Sequence, residues 1–238
     1  MVLSLNNIPD SKGINAYLRD KSFSKLLEYY CGKELFEQVE NKFIELGEIV
    51  GSELEELALS ADKNPPKLKI RSRVGELSND IEKHPDFIKI EKFAFEKFGL
   101  AAMSHRHGVF GMQQPLPPIV KYGLTFLFVQ SEFGLCCPLS MTDSLTRTLT
   151  KFGDKKLIEK FFDQLTSQDL DHLFQGAMFM TEQHAGSDVG SIDTYAECED
   201  GNWFLTGDKW FCSNPDADLA MVLALSLIHI SEPTRRSY

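Results

Sequence analysis

Apolar residues along the first two thirds of the chain recur at spacings of three and four, the pattern of helices that pack on one face. The longest such run extends from about residue 34 to residue 61 and predicts a single long helix. Its apolar positions are Leu35, Phe36, Val39, Phe43, Leu46, Ile49, Val50, Leu54 and Leu57. Asn64-Pro65-Pro66 is expected to end it, because proline disfavours an α-helical residue before it and lacks a backbone donor.

Shorter patterns of the same kind predict more helices before residue 175. One surrounds Phe23 and Leu27, and another begins at Pro85 and ends at Gly99. Between them, residues 67–80 are polar and basic, and we interpret them as a surface segment.

An almost wholly apolar segment, 119–135, predicts a central helix buried on all sides. It contains Lys121, Gln130 and Glu132 and is too short for a membrane span. Residues 140–143 resemble a capping box ahead of a helix that ends at Gly153. A last helix is expected to begin at 154–155.

From about residue 174 the pattern changes to short runs separated by turn residues. Residues 174–180 predict one buried strand, 194–198 and 203–205 predict two more around the tight turn Asp200-Gly201, and 209–212 predict a fourth. We therefore predict an α+β fold, with an α-helical domain over 1–175 and the start of an antiparallel β domain over 176–224.

Composition narrows the function classes. The 238 residues carry a formal net charge of −10, which argues against nucleic-acid binding by this stretch itself. Five cysteines without a C-x-x-C pair predict neither a zinc site nor a disulfide framework, and His105-Arg106-His107 alone is weak evidence for a metal, so no metal site is predicted. The first 13 residues lack the features of a secretory signal. We expect a cytoplasmic protein that is not embedded in a membrane.

Two compact blocks carry the candidate chemistry. The first, M-T-E-Q-H-A-G-S-D over 180–188, offers hydroxyls and a glycine that lets backbone come close to a ligand. The second, K-W-F-C-S-N over 209–214, follows about thirty residues later. Together the blocks resemble the flavin-binding signature of the acyl-CoA dehydrogenases. Further segments resemble the AidB-like, adaptive-response branch of that family: 64–66, 81–85, 130–138 and 140–142.

The resemblance implies an acyl-CoA dehydrogenase-like architecture of a helical domain, a β domain and a C-terminal helical bundle, and the bundle is missing from these 238 residues. It also implies FAD, which accepts a hydride from the substrate β-carbon while a carboxylate removes the α-proton. That catalytic base is expected in the missing bundle, so no residue here is assigned to it. His184, in place of the glycine common in the family, is interpreted as a loop side chain near the cofactor.

Matching positions imply contacts with the flavin from both blocks. Ser187 is also expected near the acyl substrate, and the hydroxyl of Ser213 is expected to bond the reactive nitrogen of the flavin ring. The full cofactor-binding set implied by the resemblance is Met180, Thr181, Gly186, Ser187, Phe211, Cys212 and Ser213.

Two function hypotheses stay open. One is FAD-dependent oxidation of an acyl-CoA or similar thioester by a longer parent, of which this chain alone would be inactive. The other is an AidB-like flavoprotein that protects against alkylation damage and binds DNA through the missing C-terminal domain. In both, the resemblance implies a homo-oligomer. Leu225–Arg235 reads as the translation of a transposase-type sequencing adapter, so we expect 225–238 to be a non-native tail.

Overall fold

The computed structural model describes residues 11–226, in which helices precede a set of short strands. The helices are α1 (Ala16–Arg19), α2 (Lys21–Cys31), α3 (Lys33–Val50), α4 (Glu53–Lys63), α5 (Pro85–Glu91), α6 (Pro118–Phe128), α7 (Cys136–Phe152) and α8 (Lys155–Leu165). The strands are β1 (Lys67–Arg71), β2 (Leu77–Glu82), β3 (Gly176–Phe179), β4 (Tyr195–Glu199), β5 (Asn202–Thr206), β6 (Leu219–Val222) and β7 (Leu225–Ser226). The mixed helix-and-strand class is thus confirmed. Within 11–226, no helix is long and apolar enough to cross a membrane.

The core of the helical part lies between α3 and α6. Phe43 and Leu46 on α3 and Leu124 on α6 are completely buried. Gly123 permits this close approach, because a β-carbon there would lie 2.8 Å from Leu27 Cδ2 and 2.9 Å from the Phe43 ring. The close packing of α3 against α6 therefore requires glycine at position 123 as well as the buried apolar side chains.

The single helix predicted over 34–61 is wrong in one respect, since it is broken at Gly51-Ser52 into α3 and α4. Residues outside the helical pattern of 34–61 cause this break. The Gly13 backbone N–H donates to Gly51 O at 2.7 Å. A β-carbon at Gly51 would also collide with Ile14 O. Apolar periodicity continues through the break and gives no sign of it.

Three further helix predictions have different outcomes in the structure. The segment 119–135 forms α6 and a loop, and it is not buried on all sides, because Tyr122 and Phe126 are 59% and 48% exposed. The capping box at 140–143 is wrong, since α7 begins at Cys136 with Pro138 in its first turn, where proline is tolerated. The start of α8 is confirmed, and the Asp154 side chain accepts from Lys156 N at 2.8 Å.

The surface segment 67–80 lies on the surface, but much of it is an antiparallel hairpin of β1 and β2. Every residue of β1 is exposed. The helix from Pro85 continues past α5 in a wider turn over Lys92–Lys97 and ends before Gly99, which has φ +55° as predicted for a helix-ending glycine.

The strands after residue 175 are partly antiparallel. β4 and β5 form the predicted antiparallel pair around Asp200-Gly201, both of which have positive φ. β3 instead pairs parallel with β6, and β4 pairs parallel with β7, so the uniform meander is wrong. Both parallel pairings join segments far apart in sequence, which turn signals do not report. The predicted tail begins in β7, and its residues 227–238 lie outside the described part of the chain.

Candidate functional site

The two sequence blocks meet directly at the end of β3. The backbone N–H of Trp210 donates to Thr181 O at 2.8 Å. The ammonium of Lys209 donates to Met180 O at 3.1 Å. Met180 is 47% exposed and Thr181 is half-buried, so this junction lies at the surface. The structure therefore brings Met180 and Thr181 of the first block against the start of the second.

A buried carboxylate holds the junction together. Glu182 is 4% exposed, and its Oε1 lies 2.7 Å from Lys209 Nζ. The same carboxylate accepts from the backbone N–H groups of Asp193 and Thr194 at 2.6 and 3.0 Å, and from Thr194 Oγ1 at 2.5 Å. Two parts of the loop after β3 and the second block are thus tied to one side chain.

Electrostatics keep this carboxylate ionised. The Lys209 ammonium first, and then the Thr194 hydroxyl and the backbone N–H donors, lower the pKa of Glu182 from 4.5 to about 2, although burial works in the opposite direction. Because each charge has its partner within hydrogen-bonding distance, the pair can remain buried and charged at neutral pH.

The second block is a loop, so the strand predicted over 209–212 is wrong. Phe211 has φ +56°, a left-handed conformation that a strand does not contain and that bulky residues rarely adopt. Phe211 is 84% exposed, and its ring meets the Trp210 ring edge-on, with centroids 6.3 Å apart. Cys212 and Ser213 are half-buried, and the Ser213 backbone N–H donates to Phe211 O at 3.0 Å.

Gly186 and Ser187 lie in an exposed loop beyond Glu182. Reciprocal backbone hydrogen bonds between Glu182 and Ala185, of 2.9 and 3.2 Å, turn the chain into this loop. Among the described residues, no hydrogen bond joins Gly186 or Ser187 to the second block. The structure therefore places these two near the junction in sequence without fixing them to it.

A cluster that sequence reasoning did not predict contains Glu182, His184 and Asp193, whose ligand-type atoms all lie within 4.8 Å of one another. His184 Nε2 lies 3.0 Å from Asp193 Oδ2. A cation here would compete with Lys209, whose ammonium already neutralises Glu182 at 2.7 Å. The donor set thus fits a salt bridge better than a metal ion. Of the earlier histidine pair, His105 is buried against Asp143 at 2.8 Å and His107 is exposed.

The junction exposes apolar side chains beside hydroxyl groups. Met180, Trp210 and Phe211 present apolar surface to solvent, and a β-carbon on Gly186 would meet open space. Within residues 11–226, the hydroxyls of Thr181, Ser187 and Ser213 make no hydrogen bond to protein groups. These hydroxyls are therefore available to a ligand.

Sequence reasoning did not single out Glu182, Thr194 or Lys209, although they build the junction. A signal was present, since the first block carries the acidic Glu182 and the second block carries the basic Lys209. Opposite charges within two blocks that are expected to meet are candidates for a buried pair.

Two family models match successive parts of the chain. The model of the adaptive response protein AidB N-terminal domain matches residues 6–172, and that of the acyl-CoA dehydrogenase middle domain matches 177–236. Acyl-CoA dehydrogenase family member 11 of Caenorhabditis elegans is 29% identical over 215 residues, which cover 88% of this chain and 34% of that protein. Putative acyl-CoA dehydrogenase AidB of Escherichia coli is 30% identical over 187 residues, 71% of this chain and 32% of that protein.

Solved structures give the same result. Bd2924 in its apo-form superposes with a TM-score of 0.79 at 25% identity, covering 90% of this chain and 43% of that one. Caenorhabditis elegans ACDH-11, solved in complex with C11-CoA, superposes with a TM-score of 0.78 at 26% identity, covering 94% of this chain and 38% of that one. The chain spans about a third of the length of the curated relatives named above. It belongs to the acyl-CoA dehydrogenase family, in the AidB-like branch.

Proposed function

We propose that this chain forms one wall of the flavin site of an FAD-dependent acyl-CoA dehydrogenase-type oxidoreductase. One observation carries the proposal. The Trp210 N–H to Thr181 O hydrogen bond and the Lys209–Glu182 ion pair join the two blocks, while Met180 and Phe211 remain exposed beside the joint. A rigid junction with open apolar surface and unused hydroxyls favours a ligand over a purely structural role.

The residues that would hold the cofactor are Met180, Thr181, Gly186, Ser187, Phe211, Cys212 and Ser213. Bound there, FAD would supply the hydride acceptor. The hydroxyls of Thr181 and Ser213 would donate to polar atoms of the ligand. Phe211 would cover apolar surface and exclude water, and Gly186 would let backbone N–H groups approach without a side chain in the way.

The substrate of the longer protein would be an acyl-CoA or a similar thioester, with Ser187 near it. The support is the family relationship and the C11-CoA held by the structural relative ACDH-11. The carboxylate that removes the α-proton would come from a part of the longer protein beyond this chain, so the chain alone is expected to be inactive. The relationship to AidB keeps a DNA-associated, protective flavoprotein as the second candidate.

Replacing the free hydroxyls tests the proposal. Thr181→Ala and Ser213→Ala should each weaken FAD binding by up to about tenfold, the usual value of one hydrogen bond. Ser213→Ala should also shift the flavin absorption spectrum, because a donor at the ring is lost. Thr206→Ala, which removes an exposed hydroxyl on β5, is the matched control. Equal FAD affinity in all three variants, or no FAD binding by the unaltered chain, would contradict the proposal.

A further inference from the structure

The loop that begins at Phe211 cannot hold its own shape. Phe211 and Asn214 have φ of +56° and +57°. For the bulky Phe211 this conformation costs about 1–2 kcal/mol, whereas asparagine adopts it more readily. Such conformations persist only when surrounding groups fix them. The contacts that fix this loop must therefore come from elsewhere in the chain.

The side chain of Asn214 provides the first of these contacts. Its Nδ2 donates to Gln175 Oε1 and to Gly176 O, each at 3.2 Å. The side chain of Gln175 links this contact to α5, because its Nε2 donates to Glu91 Oε1 at 3.1 Å. Glu91 lies at the end of α5 and is 5% exposed. A chain of hydrogen bonds thus runs from the loop to the helical part of the protein.

Lys83 joins Glu91, at one end of this chain of hydrogen bonds, to Asp216, which lies near the other end. Its ammonium lies 3.1 Å from Glu91 Oε1 and 3.2 Å from Asp216 Oδ2, two residues beyond Asn214. Burial works against the charged ammonium, but Glu91 and then Asp216 outweigh it and raise the pKa of Lys83. Lys83 thus remains charged and binds α5 and the end of the loop at once.

We propose that Lys83 is a positioning residue for the loop Phe211–Asn214, acting through Glu91, Gln175 and Asp216. Lys83 belongs to the segment 81–85, which resembles the AidB-like branch and contributes no residue to the proposed flavin-facing surface. Lys83 connects this segment with that surface. The proposal rests on the proposed flavin site for its functional part. The holding of the loop rests on the geometry alone.

The variants isolate this connection. Lys83→Met removes the ammonium and leaves Glu91 buried without its cation, and Lys83→Arg keeps the charge. Lys89→Met is the matched control, because Lys89 lies on α5 with Glu91, is 58% exposed, and pairs with Asp86 outside this network. Asp216→Asn removes one contact from a side chain that is 30% exposed and leaves Lys83 paired with Glu91, so no buried charge loses its only partner. It tests the same connection if Lys83→Met does not fold.

Hydrogen exchange of the flavin-free chain is the first measurement. Exchange of the amides over 210–219 should rise about tenfold in Lys83→Met and less in Asp216→Asn, and should stay unchanged in Lys89→Met. These amides include Ala217 N, which donates to Asn214 O, and Leu219 N, which donates to Gln175 O. Equal protection of 210–219 in Lys83→Met and Lys89→Met, or in Asp216→Asn and the unaltered chain if Lys83→Met does not fold, would overturn the proposal.

FAD titration of the same variants is the second measurement. Lys83→Met should weaken FAD binding and alter the flavin spectrum, and Lys83→Arg should restore both. A loosened loop with unchanged FAD affinity and spectrum would overturn the positioning role. If the unaltered chain binds no FAD, the proposed function fails, and the holding of the loop by Lys83 is decided by exchange alone.

Discussion

Lys209 Nζ lies 2.7 Å from Glu182 Oε1, and the two side chains are only 7% and 3% exposed. One residue comes from each of the two blocks that resemble a flavin signature. The pair therefore fixes the relative position of the blocks. Beside it, Thr194 Oγ1 donates to Glu182 Oε1 and Lys209 Nζ donates to Met180 O.

Removing the lysine should cost more than removing both charges. Lys209→Met leaves an ionised carboxylate in a buried place without its cation, whereas Lys209→Met with Glu182→Gln leaves none. We expect urea denaturation to show a larger loss of stability for the single variant than for the double one. Lys25→Met, an exposed lysine on α2, serves as the control. Strictly additive effects of the two changes would show that the pair is not coupled.

Acid should weaken the junction within a defined pH window. The pKa of Glu182 is about 2 in the folded chain against an ordinary value of 4.5. The unfolded chain therefore binds this proton more readily, so the stabilisation is complete above about pH 4.5 and is lost as pH falls toward 2. Denaturation at several pH values should show a shallower acid dependence in Glu182→Gln. Glu197→Gln, an exposed carboxylate on β4, should keep the original slope, and identical slopes for both variants would count against this assignment.

The contact of α3 with α6 predicts an overpacking effect. Gly123→Ala places a methyl group against Leu27 and the Phe43 ring, so we expect a loss of about 1–3 kcal/mol of unfolding free energy. Tyr122→Ala, on the exposed side of the same helix, should cost less. Thermal or urea denaturation decides between them, and a Gly123→Ala variant as stable as the unaltered chain would refute the packing described.

The net charge of the chain predicts how tightly it binds DNA. With a net charge of −10, it should bind duplex DNA weakly, and any binding should fall steeply as salt rises. Fluorescence anisotropy with a labelled duplex at two salt concentrations measures both quantities. Tight binding by this chain alone would contradict the proposal that DNA contacts, in an AidB-like role, belong to another part of the longer protein.

Much of the architecture follows from local pattern. Asp154 and Gly99 mark helix ends because capping and left-handed backbone are local properties, and Asp200-Gly201 forms its turn for the same reason. The break at Gly51 does not follow, because its cause is a contact with Gly13 and Ile14 almost forty residues away.

In the candidate site, too, local features could be predicted from the sequence and contacts between distant segments could not. The blocks were identified by their residue types, whereas the contact of Thr181 with Trp210 was not predicted and is seen only in the structure. The strand expected at 209–212 fails because burial of Lys209 and the left-handed Phe211 are tertiary effects. The parallel partner of β3 is likewise set by packing between distant segments. Flavin binding by all of the site residues stays a prediction.

Mapping FAD onto the chain by NMR tests the central claim most directly. On titration of isotope-labelled protein with FAD, the backbone amide signals of 180–187 and 210–214 should shift and saturate together. Signals of the exposed hairpin β1–β2 should stay fixed and serve as the internal reference. Saturable shifts confined to the two blocks are the predicted result, and shifts located elsewhere, or none at all, would contradict a flavin site at the Glu182–Lys209 junction.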